Sequence, residues 1–203
     1  LMRNGVDFNS INDAPTSGLE APLCTTNIKI SSVGTLSDIK GVNELIDACA
    51  ILNNRGIKNI ELFFVGKGEP EKYKDRAIKF NIGEKVHFLG HKSNAGAYMK
   101  KCDIIACLSG GGGMSMSAIE AMASGIPIIA WDSPVYRQFN VNNPTMHLVK
   151  ERDSEKLADG IAEMISNYDY YKLMAQNARE ESKSYDWSNI VKELLHNLEM
   201  IKK

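Results

Sequence analysis

The sequence predicts an α/β protein: a Rossmann-like parallel sheet flanked by helices, followed by a C-terminal helical tail. Three observations carry that reading. Apolar runs of strand length alternate with helix-periodic segments from Ile28 to Trp131. Runs such as IELFFV (60–65) are apolar almost throughout, as in the middle of a parallel sheet covered on both faces. From Asp153 onward the apolar period is helical.

The elements follow in order. Residues 1–26 read as polar and irregular. IKISSVG (28–34) is a strand ending in glycine. Val42, Leu45, Ile46, Cys49 and Leu52 recur at helical spacing, and Gly56 closes that helix. The second strand, 60–66, breaks at Gly68-Glu69-Pro70, and 71–81 reads as a lysine-rich surface helix. KVHFLG (85–90) is a third strand, 93–101 a short helix, and DIIACL (103–108) a fourth strand. After a glycine run, 115–124 is helical, IPIIAW (126–131) is a fifth strand, and 146–149 is a sixth. Asp153 reads as the N-cap of a helix over 154–167, and two more helices follow over 170–183 and 187–202. In such a sheet, ligands bind at the carboxyl ends of the strands. The loops that matter are then 34–41, 66–70, 90–94, 109–115 and 131–136.

Composition excludes several classes. The 203 residues are 43% hydrophobic and 24% charged, which is ordinary for a globular chain. The balance of 24 basic and 25 acidic side chains argues against a uniformly basic nucleic-acid-binding surface. No apolar run approaches bilayer length, and LMRNGVDFNS lacks the charged-then-apolar pattern of a signal peptide. Because it starts with Leu1 and not Met, the chain reads as a piece cut from something longer. Cys24, Cys49, Cys102 and Cys107 have no two-residue redox or zinc spacing and read as small buried hydrophobes in a reducing compartment. Trp131 and Trp187 read as core or packing residues.

The richest stretch is LSGGGGMSMSAIEAMASGIPIIA (108–130), where a strand runs into four glycines and then a helix. Glycines let the backbone approach a ligand closely, and a helix start offers unpaired N–H groups and a positive dipole end. Together they suit an anion, most naturally phosphate. Neither the dinucleotide fingerprint nor the triphosphate loop is present around Gly66-Lys67-Gly68. Glu120 has two readings. Ser117-Ala118-Ile119-Glu120 spells a capping box, in which Glu120 only secures the helix start. With a start nearer Met114, Glu120 lies one to two turns in and faces the groove. His87 and His91 sit on a strand and its loop and are not a metal pair, and no Asp-x-Asp occurs, so no metal is expected. The lysine-rich segment 72–79 reads as a solvated helix face, with a peripheral contact to anionic lipid headgroups left open.

EAMASGIPIIA (120–130) resembles the donor-binding half of retaining glycosyltransferases of the two-domain GT-B architecture, family 4 type. Other segments fit in order: NGVD (4–7), VGTL (33–36) with Lys40-Gly41, FVGKG (64–68), VHFLG (86–90) and YDWS (185–188). The resemblance implies a layout in which 1–26 is the interdomain segment, 27–150 the nucleotide-sugar-binding α/β domain and 151–203 helices packed on it. It implies that Glu120 holds the ribose hydroxyls. Gly113, Met114 and Ser115 offer the helix start to the diphosphate, and Lys40 neutralises the leaving group. His91, Lys92 and Asn94 line the base pocket, while Gly34, Thr35 and Gly112 complete the donor site. At two positions the pattern differs: the family's first glutamate falls on Gly112, and its usual basic residue after the first strand falls on Thr35.

The activity so implied is transfer of a sugar from a nucleoside-diphosphate sugar, the donor substrate, to a hydroxyl of a glycan or lipid-linked acceptor. It needs no cofactor, and is expected in the cytoplasm or at the membrane periphery. The acceptor is expected on an N-terminal domain not in this chain, leaving the fragment inactive alone and its last helix poorly anchored. The rival readings are a non-catalytic nucleotide- or partner-binding relative and a sugar-nucleotide epimerase of the same architecture.

Overall fold

The computed structural model describes residues 5–17, 19, 26–110 and 115–201. Six parallel strands form one sheet: β1 (Ile28–Val33), β2 (Ile60–Val65), β3 (Val86–Gly90), β4 (Ile104–Cys107), β5 (Ile128–Trp131) and β6 (His147–Val149). The order is β3-β2-β1-β4-β5-β6. The chain winds outward from β1 to the β3 edge, then returns to the other side of β1 and winds to β6. β1 and β4 are thus neighbours without being consecutive, pairing Ile30 with Ile104 and Ser31 with Ile105. The helices leading from these two strands diverge, which opens a crevice at their carboxyl ends.

Nine α-helices lie among the described residues: α1 (Phe8–Asn12), α2 (Val42–Asn54), α3 (Glu71–Lys79), α4 (Ala95–Met99), α5 (Met116–Ser124), α6 (Pro134–Arg137), α7 (Ser154–Ser166), α8 (Tyr168–Ser182) and α9 (Trp187–Ile201). The strand reading holds because β4 and β5 are buried along their whole length and β2 nearly so. A period-2 alternation is absent for the reason expected, since both faces are covered. The stripe Val42, Leu45, Ile46, Cys49 and Leu52 is the buried face of α2. Each fully buried aliphatic side chain of this kind contributes roughly 1.5–3 kcal/mol. Asp153 caps α7 as expected, accepting from Lys156 N at 3.0 Å.

The N-terminal segment corrects the sequence reading. Instead of being irregular, it contains α1 and the buried residues Val6 and Ala14. Val6 N donates to Tyr185 O (2.9 Å) and Trp187 N donates to Val6 O (3.1 Å). The Asp186 carboxylate accepts from Phe8 N at 3.1 Å. A single turn of helix has no stability of its own and no readable period, so only these long-range partners reveal it. The helix expected over 93–101 is confined to α4.

Trp131 is fully buried in the core, whereas Trp187 is 45% exposed and packs against Gly5. It sits on α9, which buries Ile190 and leaves Val191, Leu194, Leu195, Leu198 and Met200 exposed. Among the described residues, no helix is long and apolar enough to cross a membrane.

Candidate functional site

The loop leaving β1 is laid against the loop leaving β2. Gly34 N donates to Val65 O (3.0 Å), and Leu36 N to Lys67 O (2.8 Å). The approach is so close that a Cβ on Gly66 would overlap the carbonyl oxygen of Gly34. The loop then makes one 3-10 turn, Asp38–Lys40, and Gly41 takes the left-handed conformation (φ 70°). Leu108, at the end of β4, occupies the space beside it: its Cβ lies 2.5 Å from where a Gly41 Cβ would be. Gly41 is therefore required twice, by its φ and by its neighbour.

Asp38 is held from below. Its carboxylate accepts from Lys72 Nζ (2.9 Å), Tyr73 Oη (3.0 Å) and Asn43 Nδ2 (2.9 Å). Lys72 first, then Tyr73, lower its pKa from the ordinary aspartate value. Arg76 pairs bidentately with Asp47 (2.6 Å to each oxygen), so two cations of the lysine-rich segment are committed to this support.

The loop leaving β4 meets the first one directly, with Gly110 N donating to Ile39 O at 2.8 Å. Ser109 N donates to the phenol oxygen of Tyr136 at 2.9 Å. The expected phosphate ligands Gly112, Gly113 and Met114 lie outside the described residues. Description resumes at Ser115, which is the N-cap of α5: extended at φ −79°, ψ 106°, it accepts from Ala118 N at 3.3 Å. The capping-box reading of Glu120 is thereby overturned. The cap is Ser115, not Ser117, and Ala118 holds the third helical position. Glu120 lies one turn further in, half-buried, and among the described residues its carboxylate has no hydrogen bond or ion pair. Burial raises its pKa above the ordinary glutamate value.

Lys40 is half-buried at the lip of the crevice, which is also lined by Gly34, Thr35, Ser109, Ser117 and Tyr136. At the floor lies Cys107, whose thiol burial pushes up to about 12. The Lys40 charge pulls that value down and the Glu120 charge pushes it up.

The other expected site residues sit apart. His91 is exposed, Lys92 Nζ lies 5.8 Å from the Tyr98 ring centroid, and Asn94 caps α4 by accepting from Ala97 N (3.2 Å). They belong to the loop after β3 and do not line the crevice. His87 Nε2 is 3.1 Å from Glu61 Oε2 and stacks on Phe63. No cluster of three or more metal-ligating side chains occurs among the described residues.

Two residues at the site escaped the sequence reading. Arg152, in the left-handed conformation (φ 60°), sends Nη1 to Asp38 O (2.6 Å) and Glu44 Oε1 (2.8 Å). Its Nη2 lies 2.7 Å from where a Gly110 Cβ would be. It comes from the loop after β6, which obeys the same carboxyl-end rule as the loops singled out, and that rule was the available signal. Tyr136, fully buried on α6, carried no signal beyond its place in the loop after β5.

The family model for glycosyl transferases group 1 matches residues 21–181. A phosphatidyl-myo-inositol mannosyltransferase of Mycobacterium leprae (strain TN) is 27% identical over 201 residues, 98% of this chain and 52% of that protein. An uncharacterized glycosyltransferase of Methanocaldococcus jannaschii is 31% identical over 171 residues, 82% of this chain and 43% of that protein. The chain spans about half the length of the curated relatives it matches. Among solved structures, Anabaena HepE in complex with UDP superposes with a TM-score of 0.87 at 23% identity, over 98% of this chain and 57% of that one. WaaG, a glycosyltransferase involved in lipopolysaccharide biosynthesis, gives 0.81 at 20% identity, over 95% and 54%. Those structural likenesses speak for the fold, and the family model speaks for descent: the chain belongs to the glycosyl transferases group 1 family and carries the Rossmann-like sheet of a GT-B glycosyltransferase.

Proposed function

We propose that this chain is the donor-binding part of a retaining, family 4 type glycosyltransferase, with residues 27–150 forming the nucleotide-sugar-binding unit. One observation carries the reading. The loops after β1 and β4 are joined at the switch point by Gly110 N and Ile39 O, with half-buried Lys40 lining the crevice between them and half-buried Glu120 one turn into α5, the helix to which the second loop leads. An anion fits between Lys40 and the N–H groups of α5. A carboxylate with no partner among the described residues suits a ligand that brings two hydroxyl donors, as a ribose does.

The chemistry follows from that placement. As the bond between the sugar and the diphosphate breaks, negative charge grows on the departing phosphate oxygen. Lys40 and the start of α5, with Gly112, Gly113, Met114 and Ser115, stabilise that charge. His91, Lys92 and Asn94 flank the base, which they meet mainly through backbone. The acceptor is a hydroxyl of a glycan or lipid-linked saccharide. HepE has been captured with UDP and with UDP-glucose, which supports a nucleotide-sugar donor. The described cysteines Cys49, Cys102 and Cys107 are free and buried, which supports a reducing, cytoplasmic setting.

The test is calorimetric titration of uridine, guanosine and adenosine diphosphates into the chain and its Glu120→Ala variant. One of the three binds the wild type, and the variant binds it about 10- to 150-fold more weakly at unchanged melting temperature. No binding to the wild type, or a variant with unchanged affinity, overturns the reading.

A further inference from the structure

We propose that Arg152 is a positioning residue that clamps the turn carrying Lys40 and so sets where that ammonium stands in the crevice; the binding arm of this inference rests on the donor reading above. Among the described residues, every hydrogen bond of the Arg152 side chain reaches residues 38–44, more than a hundred positions away. Nη1 donates to Asp38 O (2.6 Å) and to Glu44 Oε1 (2.8 Å), and Nη2 donates to Ile39 O (3.4 Å). Asp38 and Ile39 are the first two residues of the 3-10 turn whose third is Lys40. Glu44 lies in the first turn of α2, on the far side of the left-handed Gly41. One planar fork thus grips the chain on both sides of Lys40.

The two carbonyls have backbone donors as well: Gly41 N closes the turn on Asp38 O (3.1 Å), and Gly110 N bonds Ile39 O (2.8 Å). Arg152 therefore sits where the loops after β1, β4 and β6 come together. Its own root is fixed, since Asp132 N donates to Val149 O (2.7 Å) and Asp153 caps α7. Two features set it apart from an ordinary surface arginine. Its backbone is left-handed at φ 60°, a conformation that a residue with a Cβ rarely adopts and that persists only where the surroundings enforce it. Among the described residues, the other oxygen of Glu44 is buried with no hydrogen-bond partner, so that carboxylate depends on the guanidinium. Lysine carries a point charge on a flexible stem, so the placing of its backbone governs where the charge can reach. A turn fixed before a ligand arrives leaves less ordering to oppose binding.

The test uses Arg152→Gly, which removes the guanidinium and suits the backbone, in the 203-residue chain. Amide exchange at Lys40 and Gly41 speeds up about 10-fold. The dissociation constant for whichever of uridine, guanosine or adenosine diphosphate binds the wild type rises about 5- to 20-fold, and that of the matching nucleoside stays put. In a Lys40→Ala background the same substitution weakens the diphosphate by no more than about 2-fold further, because Arg152 acts through Lys40. Arg152→Lys stays weakened, since an ammonium lacks the fork. Unchanged exchange at Lys40 and Gly41, or unchanged diphosphate affinity, overturns the inference. So does an equal loss for nucleoside and diphosphate, a full additional loss in the Lys40→Ala background, or full affinity in Arg152→Lys. A wild-type chain that binds none of the three diphosphates defeats the donor reading instead, and the exchange at Lys40 and Gly41 then decides whether Arg152 holds the turn.

Discussion

The loops after β1 and β4 face each other across one crevice, yet they are held by different kinds of contact. The first is held along its length: backbone bonds to the β2 loop, Asp38 seated on Lys72 and Tyr73, and Arg152 over the carbonyls of Asp38 and Ile39. Of the second, residues 109 and 110 are held by Tyr136 and Ile39, and Ser115 is the cap of α5. The first loop is thus a platform built by distant segments, and the described end of the second leans on it. On the donor reading proposed above, such a platform lets Lys40 meet a leaving group at a fixed place.

The sharpest way to break that contrast is Gly66→Ala. Its Cβ would collide with backbone, which cannot swing aside as a side chain can, so the loops after β1 and β2 must part. A stability loss of about 3 kcal/mol is expected from the urea midpoint. Full stability would mean the platform is soft.

Arg152 gives a smaller and more instructive effect. Arg152→Ala removes the donors over Asp38 and Ile39, leaves Glu44 without its cation, and keeps a side chain at φ 60°. Arg152→Gly loses the same bonds but suits the backbone. The alanine variant is expected to lose about 1–2 kcal/mol, and the glycine variant about 0.5–1 kcal/mol less than that. Both should speed amide exchange in 38–41 more than in 109–110. Equal effects on the two loops would erase the distinction drawn between them.

The smallest effect concerns Glu120. Burial raises its folded-state pKa, so the protein is at its most stable with this carboxyl protonated and loses that advantage as pH rises through the raised value. Glu120→Gln does not titrate. It should therefore be slightly more stable than wild type near neutrality and indistinguishable below about pH 4, while binding nucleotide more weakly. Melting curves across pH check the first part. A glutamine variant less stable at pH 7 would mean the carboxylate has a structural partner after all.

Most of the fold was legible because the apolar runs are long and both sheet faces are covered, so Ile60–Val65 or Ile104–Cys107 admits one interpretation. The position of Lys40 beside the crevice was legible because the chain itself joins β1 to the loop that carries it. The site was illegible where distant segments meet. Arg152 lies more than a hundred residues from Asp38, and only the strand order brings the end of β6 near the loop after β1. Tyr136 looks like any buried aromatic until Ser109 is placed against it. The start of α5 was ambiguous for a local reason, since Ser115 and Ser117 are both competent caps.

Anchoring a span from outside has an evolutionary side. The bond from Gly110 N to Ile39 O and the Ser115 cap on Ala118 N involve no side chain between 111 and 114, so substitutions there leave both junction bonds with their donors and acceptors. Gly112, where the resemblance places a glutamate, falls within that span.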